Sequence, residues 1–302
     1  MSINTFAEKA TKFLSVLDQI YARESLTSML ETSGVKFDGT KTVKYPKISM
    51  DGAGDYDRDA GYAQGSVSVE YESKVLEFDR GRKFRIDVLD DDEAAFELFR
   101  TAVTEYVRTK EIPETDAIRF SRLCTYAGKT VASDTFASPV DLYDDAEQYL
   151  TDAEVTSGDL IMYCSAEFYK ALKNDPKIQR RINSEKVIQR NVTSIDEVTE
   201  IIKVPRSRFY DVIELLDGKT AGKTAGGFKY TVGTSHEVNF ILLPKSVAKA
   251  ITKRKNTKII NPDVNQSADA YDVMYRSFHD LIVDDNKKKA IYVHKKATAL
   301  AK

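Results

Sequence analysis

The 302 residues are enough to bury a substantial core, as one large domain or two ordinary ones. Apolar residues make up 42% and charged residues 30% of the chain, the balance of an ordinary globular protein. Forty-five basic against 47 acidic side chains leave a formal charge of −2, which argues against tight sheathing of nucleic acid through neutralised phosphates. Cys124 and Cys164 lie far apart with no CxxC spacing, so no disulfide framework is expected, and a reducing compartment during folding is. His236, His279 and His294 share no ligand spacing with the cysteines, and no metal site is expected. No run approaches the ~18 apolar residues of a membrane span, and residues 1–10 lack the charged start and apolar run of a secretory signal.

In chain order, residues 5 to about 30 read as an amphipathic helix. Thr5 and Glu8 match a capping box, and Phe6, Ala10, Phe13, Leu14, Leu17 and Tyr21 recur at helical spacing. Core packing is the plainer reading of that stripe; an arm laid on a neighbouring subunit is the sharper one. Six of the fourteen glycines then fall between residues 34 and 66. They separate an extended piece, Thr42–Ser49, from a long run, Ser66–Leu89, in which Val67, Val69 and Tyr71 alternate with Ser66, Ser68 and Glu70. The pattern predicts two long strands bridged by a Gly/Asp-rich tip. A two-stranded ribbon with so little core of its own is marginal in water and needs another surface to lie on.

Asp90–Glu93 place negative charge in the first turn of a helix carrying Phe96, Phe99, Val103, Tyr106 and Val107, and the periodicity resumes after Pro113 through Ala127. Read as one element bent at Pro113, about 36 residues would span on the order of 50 Å. Residues 128–159 read as loop, then as an acidic stretch. From Asp159 to about Thr252 the texture is compact α/β, with strands predicted at Leu160–Cys164, Glu200–Val204, Phe209–Leu216, Phe228–Val232 and Val238–Leu243. The last is nearly all apolar and therefore central. Helices are predicted at Glu167–Asn174, capped by Ser165, and at Lys245–Thr252. The tail offers strands at Tyr271–Phe278, Asp280–Val283 and Ala290–His294, with Asn286–Lys289 as a hairpin turn.

Motifs for chemistry fail on inspection. Gly218-Lys-Thr-Ala-Gly-Lys-Thr224 has its first glycine too close to Gly222 for a phosphate loop, and Asp217 would repel phosphate. Gly128-Lys-Thr130 has Leu123 in place of the leading glycine. Asp55, Asp57 and Asp59 imitate an EF-hand start, but Ala60 and Ser66 stand where Gly and Glu are needed. His279-Asp280 lies among alternating strand residues, without a nucleophile signature. Lys177, Arg180 and Arg181, and the Lys253–Lys258 group, have no interleaved aromatic platform for bases. No catalytic, cofactor or metal residue is expected, and no enzyme activity.

Taken in order, arm, polar hairpin, long helix, compact α/β region and returning strands resemble the α+β Hong Kong 97-like fold of tailed-bacteriophage major capsid proteins. Local strings carry the likeness. Leu76-Glu-Phe-Asp-Arg-Gly-Arg82 with Phe84 and Asp90–Glu93 resembles the passage from the family's E-loop to its spine helix. Val107–Lys110 with Ile112–Ala117, Arg119 and Phe120 is similar to the spine helix itself. Asn261–Gln266, Ala268–Ala270, Tyr275-Arg276 and His279-Asp280 resemble the return to the P domain. The resemblance covers nearly the whole chain and implies an N-terminal arm at 1–36, an extended E-loop hairpin at 37–88, a P domain at 89–145 plus 264–302, and an A domain at 146–263. It implies a shell subunit assembling with itself into pentamers and hexamers. Its further partners would be a scaffolding protein and a portal, and it would enclose double-stranded DNA without reading its sequence, in a virion built in a host bacterial cytoplasm. No long N-terminal scaffolding extension stands in this chain, so a separate scaffold or prior removal is implied, and no cross-linking Lys–Asn pair can be assigned. Expected contacts between subunits set Arg80, Arg82 and Lys83 against Asp55, Asp57 and Asp59 of another copy, with Phe6 and Phe13 on the arm; reversing Arg80 and Arg82 is expected to harm assembly more than folding. An encapsulin-like nanocompartment shell is the alternative, and a nucleotide-binding enzyme using Gly218–Thr224 the third reading.

Overall fold

The computed structural model describes residues 20, 24–32, 37–39, 41–59, 61–87, 101, 103–136, 138–155, 159–178, 192–260 and 262–301. Phe6 and Phe13, most of the expected first helix, the segment Asp90–Phe99, and Arg180 and Arg181 lie outside these residues.

A ribbon comes first. Strands β1 (Phe37–Asp38), β2 (Thr42–Met50) and β3 (Val67–Val75) form an antiparallel sheet in which Thr42 faces Val75 and Met50 faces Val67. The expected run from Ser66 to Leu89 is in fact two strands in two sheets. Leu76, 1% exposed, turns into the body, and β4 (Phe78–Asp87) continues elsewhere. A period-two pattern cannot mark this break, because both strands alternate and only burial of Leu76 separates them.

Residues 103–106 are helical and pass through a π turn, Val107–Glu111, into α1 (Ile112–Thr125). The Ile112 N–H donates to the Val107 carbonyl, five residues back. Pro113 has no N–H and its ring crowds the preceding turn. The wider turn takes up that misfit, so the adjustment expected at Pro113 sits in the residues before it.

Next come β5 (Lys129–Ala132), α2 (Pro139–Asp152), β6 (Leu160–Ser165), α3 (Ala166–Lys173), β7 (Val198–Val204), β8 (Ile213–Leu215), β9 (Phe228–Tyr230), β10 (Val238–Pro244), β11 (Ala248–Ile260), β12 (Ala270–Val283) and β13 (Tyr292–Lys295). The acidic stretch, for which no element was predicted, contains α2: the Ser138 hydroxyl accepts from the Asp141 N–H at 3.3 Å, and Tyr143, Ala146 and Leu150 are buried at helical spacing beneath the acidic outer face. Ser165 caps α3 as expected, accepting from the Phe168 N–H at 3.1 Å. The helix expected at Lys245–Thr252 is instead the start of β11, which pairs along β12 from Ala248–Val283 to Ile260–Asp272. Pairing with a long neighbour overrides the weak local preference of its alanines and lysines. The two expected tail strands merge into β12, and Asp285–Ala290 is a 3₁₀ turn joining β12 to a different sheet.

Five strands in the order β5-β13-β10-β6-β7 make the larger body sheet, with β10 central as its apolar run predicted. Ile161, Tyr163, Ile241, Leu243 and Val293 face one cluster with Phe120, Leu123 and Phe209. The alternate residues Met162, Cys164, Phe240, Leu242 and Tyr292 face another with Tyr143 and Leu150 of α2 and Phe168 and Leu172 of α3. The smaller body sheet has the order β11-β12-β4. One face meets the helix through Val273 and Tyr275 against Val103, Val107 and Ile112; the other meets the ribbon's root through Phe278 and Ile282 against Val43 and Leu76. The helix thus serves both sheets, its start on the small one and its end on the large one. The sheets interleave across residues 145 and 263: β5, α2 and β13 join the larger sheet, and β11 joins the smaller.

Candidate assembly surface

The ribbon's register sorts its side chains. Val43 and Tyr45 lie on the face turned to the body, followed along that face by the polar rungs Lys47–Glu70 and Ser49–Ser68. The other face carries the rungs Pro46–Tyr71, Ile48–Val69 and Met50–Val67. Ile48, Met50, Val67, Val69 and Tyr71 are each 54–71% exposed, so beyond Tyr45 the ribbon projects from the body with an uncovered apolar stripe. Five such side chains side by side differ from scattered exposed leucines, and contiguous stripes of this kind mark contact surfaces.

The root is held firmly. The Lys74 ammonium bridges Glu72 at 2.5 Å and Asp285 at 3.2 Å, Lys249 lies 4.4 Å over the Tyr45 ring and pairs with Asp284 at 2.9 Å, and the Lys253 ammonium donates to the Gly39 carbonyl at 2.8 Å. At the far end, the Asp51 carboxylate accepts from the Ser66 N–H at 2.7 Å and hydroxyl at 2.8 Å, closing the neck of the tip. Within the tip Asp57 accepts from the Asp59 N–H at 2.7 Å, Tyr56 and Tyr62 meet edge to face at 5.0 Å, and Asp55 and Asp59 are exposed. Among the described residues no cluster of His, Cys, Asp and Glu is arranged to hold a metal ion.

The basic residues expected to receive this tip divide between two faces of β4. Arg80 lies on the helix face, where its guanidinium meets Glu114 at 2.5 Å and donates to the carbonyls of Leu216 at 2.9 Å and Gly227 at 3.3 Å. Arg82 follows on that face, exposed, donating to the Thr224 carbonyl at 3.4 Å. Lys83 lies on the outer face with Arg85, and both clasp the buried Asp272, at 2.6 and 2.8 Å. Those two hydrogen-bonded cations hold the Asp272 carboxyl well below the usual carboxylate range. Arg276 pairs with Asp79 beside them, and Lys258 completes an outer face richer in cations than anions. Gly81 forms the floor of a shallow depression among Asp79, Lys83, Met274 and Arg276. A Cβ there would come within 2.8 Å of the Tyr275 carbonyl. Opposite charges therefore occupy two exposed places on one chain that the ribbon keeps apart.

The rejected motifs take ordinary structural roles. The Asp217 carboxylate accepts from the Lys219 and Thr220 N–H groups at 3.0 Å each, occupying donors that a phosphate would need, and Lys223 pairs with Glu214 at 2.6 Å. His279 and Asp280 point to opposite faces of β12: His279 is buried toward the helix, while Asp280 accepts from the Glu77 N–H at 3.1 Å. They cannot act as a pair. The sequence reading missed Ile48 and Met50, two of the five side chains of the apolar stripe; the alternation Pro46, Ile48, Met50 was the signal, and matching it to Val67, Val69 and Tyr71 needs the register.

No family model matches the sequence, and no curated protein is significantly similar to it. Solved structures are similar in fold. The mature capsid of bacteriophage PhiM1 matches with a TM-score of 0.63 at 10% identity, over 91% of this chain and 88% of that one. The capsid of cyanophage P-SCSP1u matches with a TM-score of 0.59 at 11% identity, over 91% and 89%. A virus-like particle from Pyrococcus furiosus matches with a TM-score of 0.55 at 12% identity, over 94% and 98%. The chain has the α+β Hong Kong 97-like fold of these shell proteins.

Proposed function

We propose that this chain is a major capsid protein, the repeating subunit of an icosahedral phage head that encloses double-stranded DNA. The uncovered apolar stripe on a ribbon rigidly rooted at one end carries the reading. Such a ribbon becomes stable when a neighbouring copy covers it, and head-to-tail contacts of this kind repeated about symmetry axes close into rings and a shell. The tip carboxylates Asp55, Asp57 and Asp59 are proposed to meet cations of the β4 region on the next copy, among them Arg82 and Lys83. Arg80 supports the fold of its own chain first. Near-neutral net charge lets many copies crowd together. Arm, ribbon, P domain and A domain, a scaffolding protein, a portal and a virion location belong to the same proposal, as does the absence of enzyme activity.

The test is electron microscopy of the expressed full chain, alone and with a co-expressed scaffolding protein, beside the double variant Ile48→Lys, Val69→Glu, whose opposite charges can pair across the rung. Closed shells are expected from the parent and none from the variant. The variant's melting should stay within ~0.5 kcal/mol of the parent, because both side chains are exposed in the single chain. Normal shells from the variant, or no assembly of the parent under any condition, would overturn the reading. A second reading, a nanocompartment shell, stays open because the same fold also builds a particle described as virus-like, that of Pyrococcus furiosus. Nucleic acid inside particles recovered from the native source favours the phage head, and a protein cargo favours the compartment.

A further inference from the structure

A buried polar cluster lies away from the ribbon, where residues 25–32 meet α1. Asp116 of α1, fully buried, accepts five hydrogen bonds. They come from the Ser25 hydroxyl at 2.8 Å, the Leu26 N–H at 3.2 Å, the Thr27 N–H at 3.3 Å, the Thr27 hydroxyl at 2.7 Å and the Arg208 guanidinium at 3.0 Å. One turn on, the buried Arg119 donates to the Thr27 hydroxyl at 2.9 Å and pairs with Glu31 at 2.9 Å. A buried carboxylate is tolerated when its oxygens are filled with donors, and a buried guanidinium when its fork meets acceptors. Each group here satisfies the other through Thr27.

The same short segment makes two further attachments. Leu30 is buried in the cluster between α1 and the larger sheet, and the Thr32 N–H donates to the Ala250 carbonyl of β11 at 3.0 Å, beside a parallel bridge from Glu31. Arg208 ends the 3₁₀ turn Arg206–Arg208, which leads through Phe209 into the large-sheet cluster. Eight residues therefore bind two elements directly, the helix and a strand of the small sheet, and share Asp116 with a third, the turn leading to β8.

We infer that residues 25–32 are a strap that locks the joint between α1, the Arg206–Arg208 turn and β11, with Asp116 as the shared acceptor, so that opening at one end of the lock opens the other. Thr27 and Arg208 each donate to Asp116, at opposite oxygens for the Thr27 hydroxyl and the Arg208 guanidinium. A coupling of this kind is reciprocal by thermodynamic necessity. Buried charges whose partners come from separate elements behave as one unit, because removing any donor leaves the carboxylate short of compensation.

Hydrogen–deuterium exchange of the full chain tests it with two variants at opposite ends. Thr27→Val keeps the shape and both buried charges but deletes the hydroxyl; Arg208→Met deletes the other donor. Exchange is expected to rise at least tenfold in residues 205–211 of Thr27→Val and in residues 25–32 of Arg208→Met, while β10 keeps parental protection. If each variant loosens only its own segment, the lock does not exist. An equal loss of protection in β10 would also overturn it, since the segments would then open only with the whole fold.

Discussion

Two buried groups on the helix side of β12 oppose one another in pH. His279 is 2% exposed and stacks on Phe78, and burial, followed by the charges of Arg119, Arg80 and Lys255, pushes it down to about 3. The unfolded chain takes up that proton near 6.5, so the stability contributed by neutral His279 is complete above about 6.5 and lost as pH falls toward 3. Glu111 is pushed up to about 6 by burial, although the Tyr275 hydroxyl donates to it at 2.7 Å and Lys255 and Arg119 favour its charge. Its contribution is complete below the unfolded value of 4.5 and lost as pH rises through 6. Between pH 4.5 and 6 the slopes have opposite sign. Glu111→Gln keeps the acceptor for Tyr275 and removes the titration, so urea stability should climb more steeply across that window than in the parent, by about 2 kcal/mol in total. Equal slopes in the two proteins would show that Glu111 titrates normally. None of this was legible from residue types: a lone Glu after a lysine gives no sign that a tyrosine hydroxyl 164 residues away will reach it.

At the scale of elements, close approach of backbones decides what the sequence spacing could not. Gly128 precedes β5 and its N–H donates to the Ile291 carbonyl at 3.0 Å; a Cβ there would lie 2.5 Å from the Lys289 Cα and 2.7 Å from the Lys288 carbonyl. Backbone on the far side cannot swing away as a side chain would, so Gly128→Ala should cost about 1–3 kcal/mol. That would appear as a lower urea midpoint with unchanged slope. Gly52→Ala, facing open space near the ribbon tip, is the control and should stay within ~0.5 kcal/mol. A control that falls as far as Gly128→Ala would remove the steric explanation. The same scale explains the errors in reading β11 and α2. β11 holds its lysine-rich run as a strand because β12 offers a full-length partner. The acidic stretch drew no helix prediction because its buried stripe, Tyr143, Ala146 and Leu150, is sparse.

For the molecule as a whole, the question is which charges serve the single chain and which are left for a neighbour. Arg80 is held by Glu114 and two carbonyls, whereas Arg82 on the same face is exposed with one long bond. Arg80→Glu should therefore lower the stability of the unassembled chain, on the order of 2 kcal/mol, by placing a carboxylate beside Glu114 and leaving the carbonyls without their donor. Arg82→Glu should leave melting within ~0.5 kcal/mol and reduce shell yield instead. Equal thermal losses in the two variants would mean that position on β4 does not separate folding from assembly. We propose that the expectation made for both arginines be kept for Arg82, since Arg80 is engaged by partners in its own chain.

The amino-acid order alone determined the ribbon with its glycine and aspartate tip, the central place of β10, the cap on α3 and the resemblance to a shell subunit. These follow from local signals: side-chain alternation, apolar runs and capping residues act within a few positions and need no distant partner. Tertiary structure decided the break at Leu76, the two faces of β4 and the strap onto Asp116. Each depends on groups brought together from far apart in the chain, and the cost of burying an unpartnered charge or an extra carbon is set by what arrives on the other side.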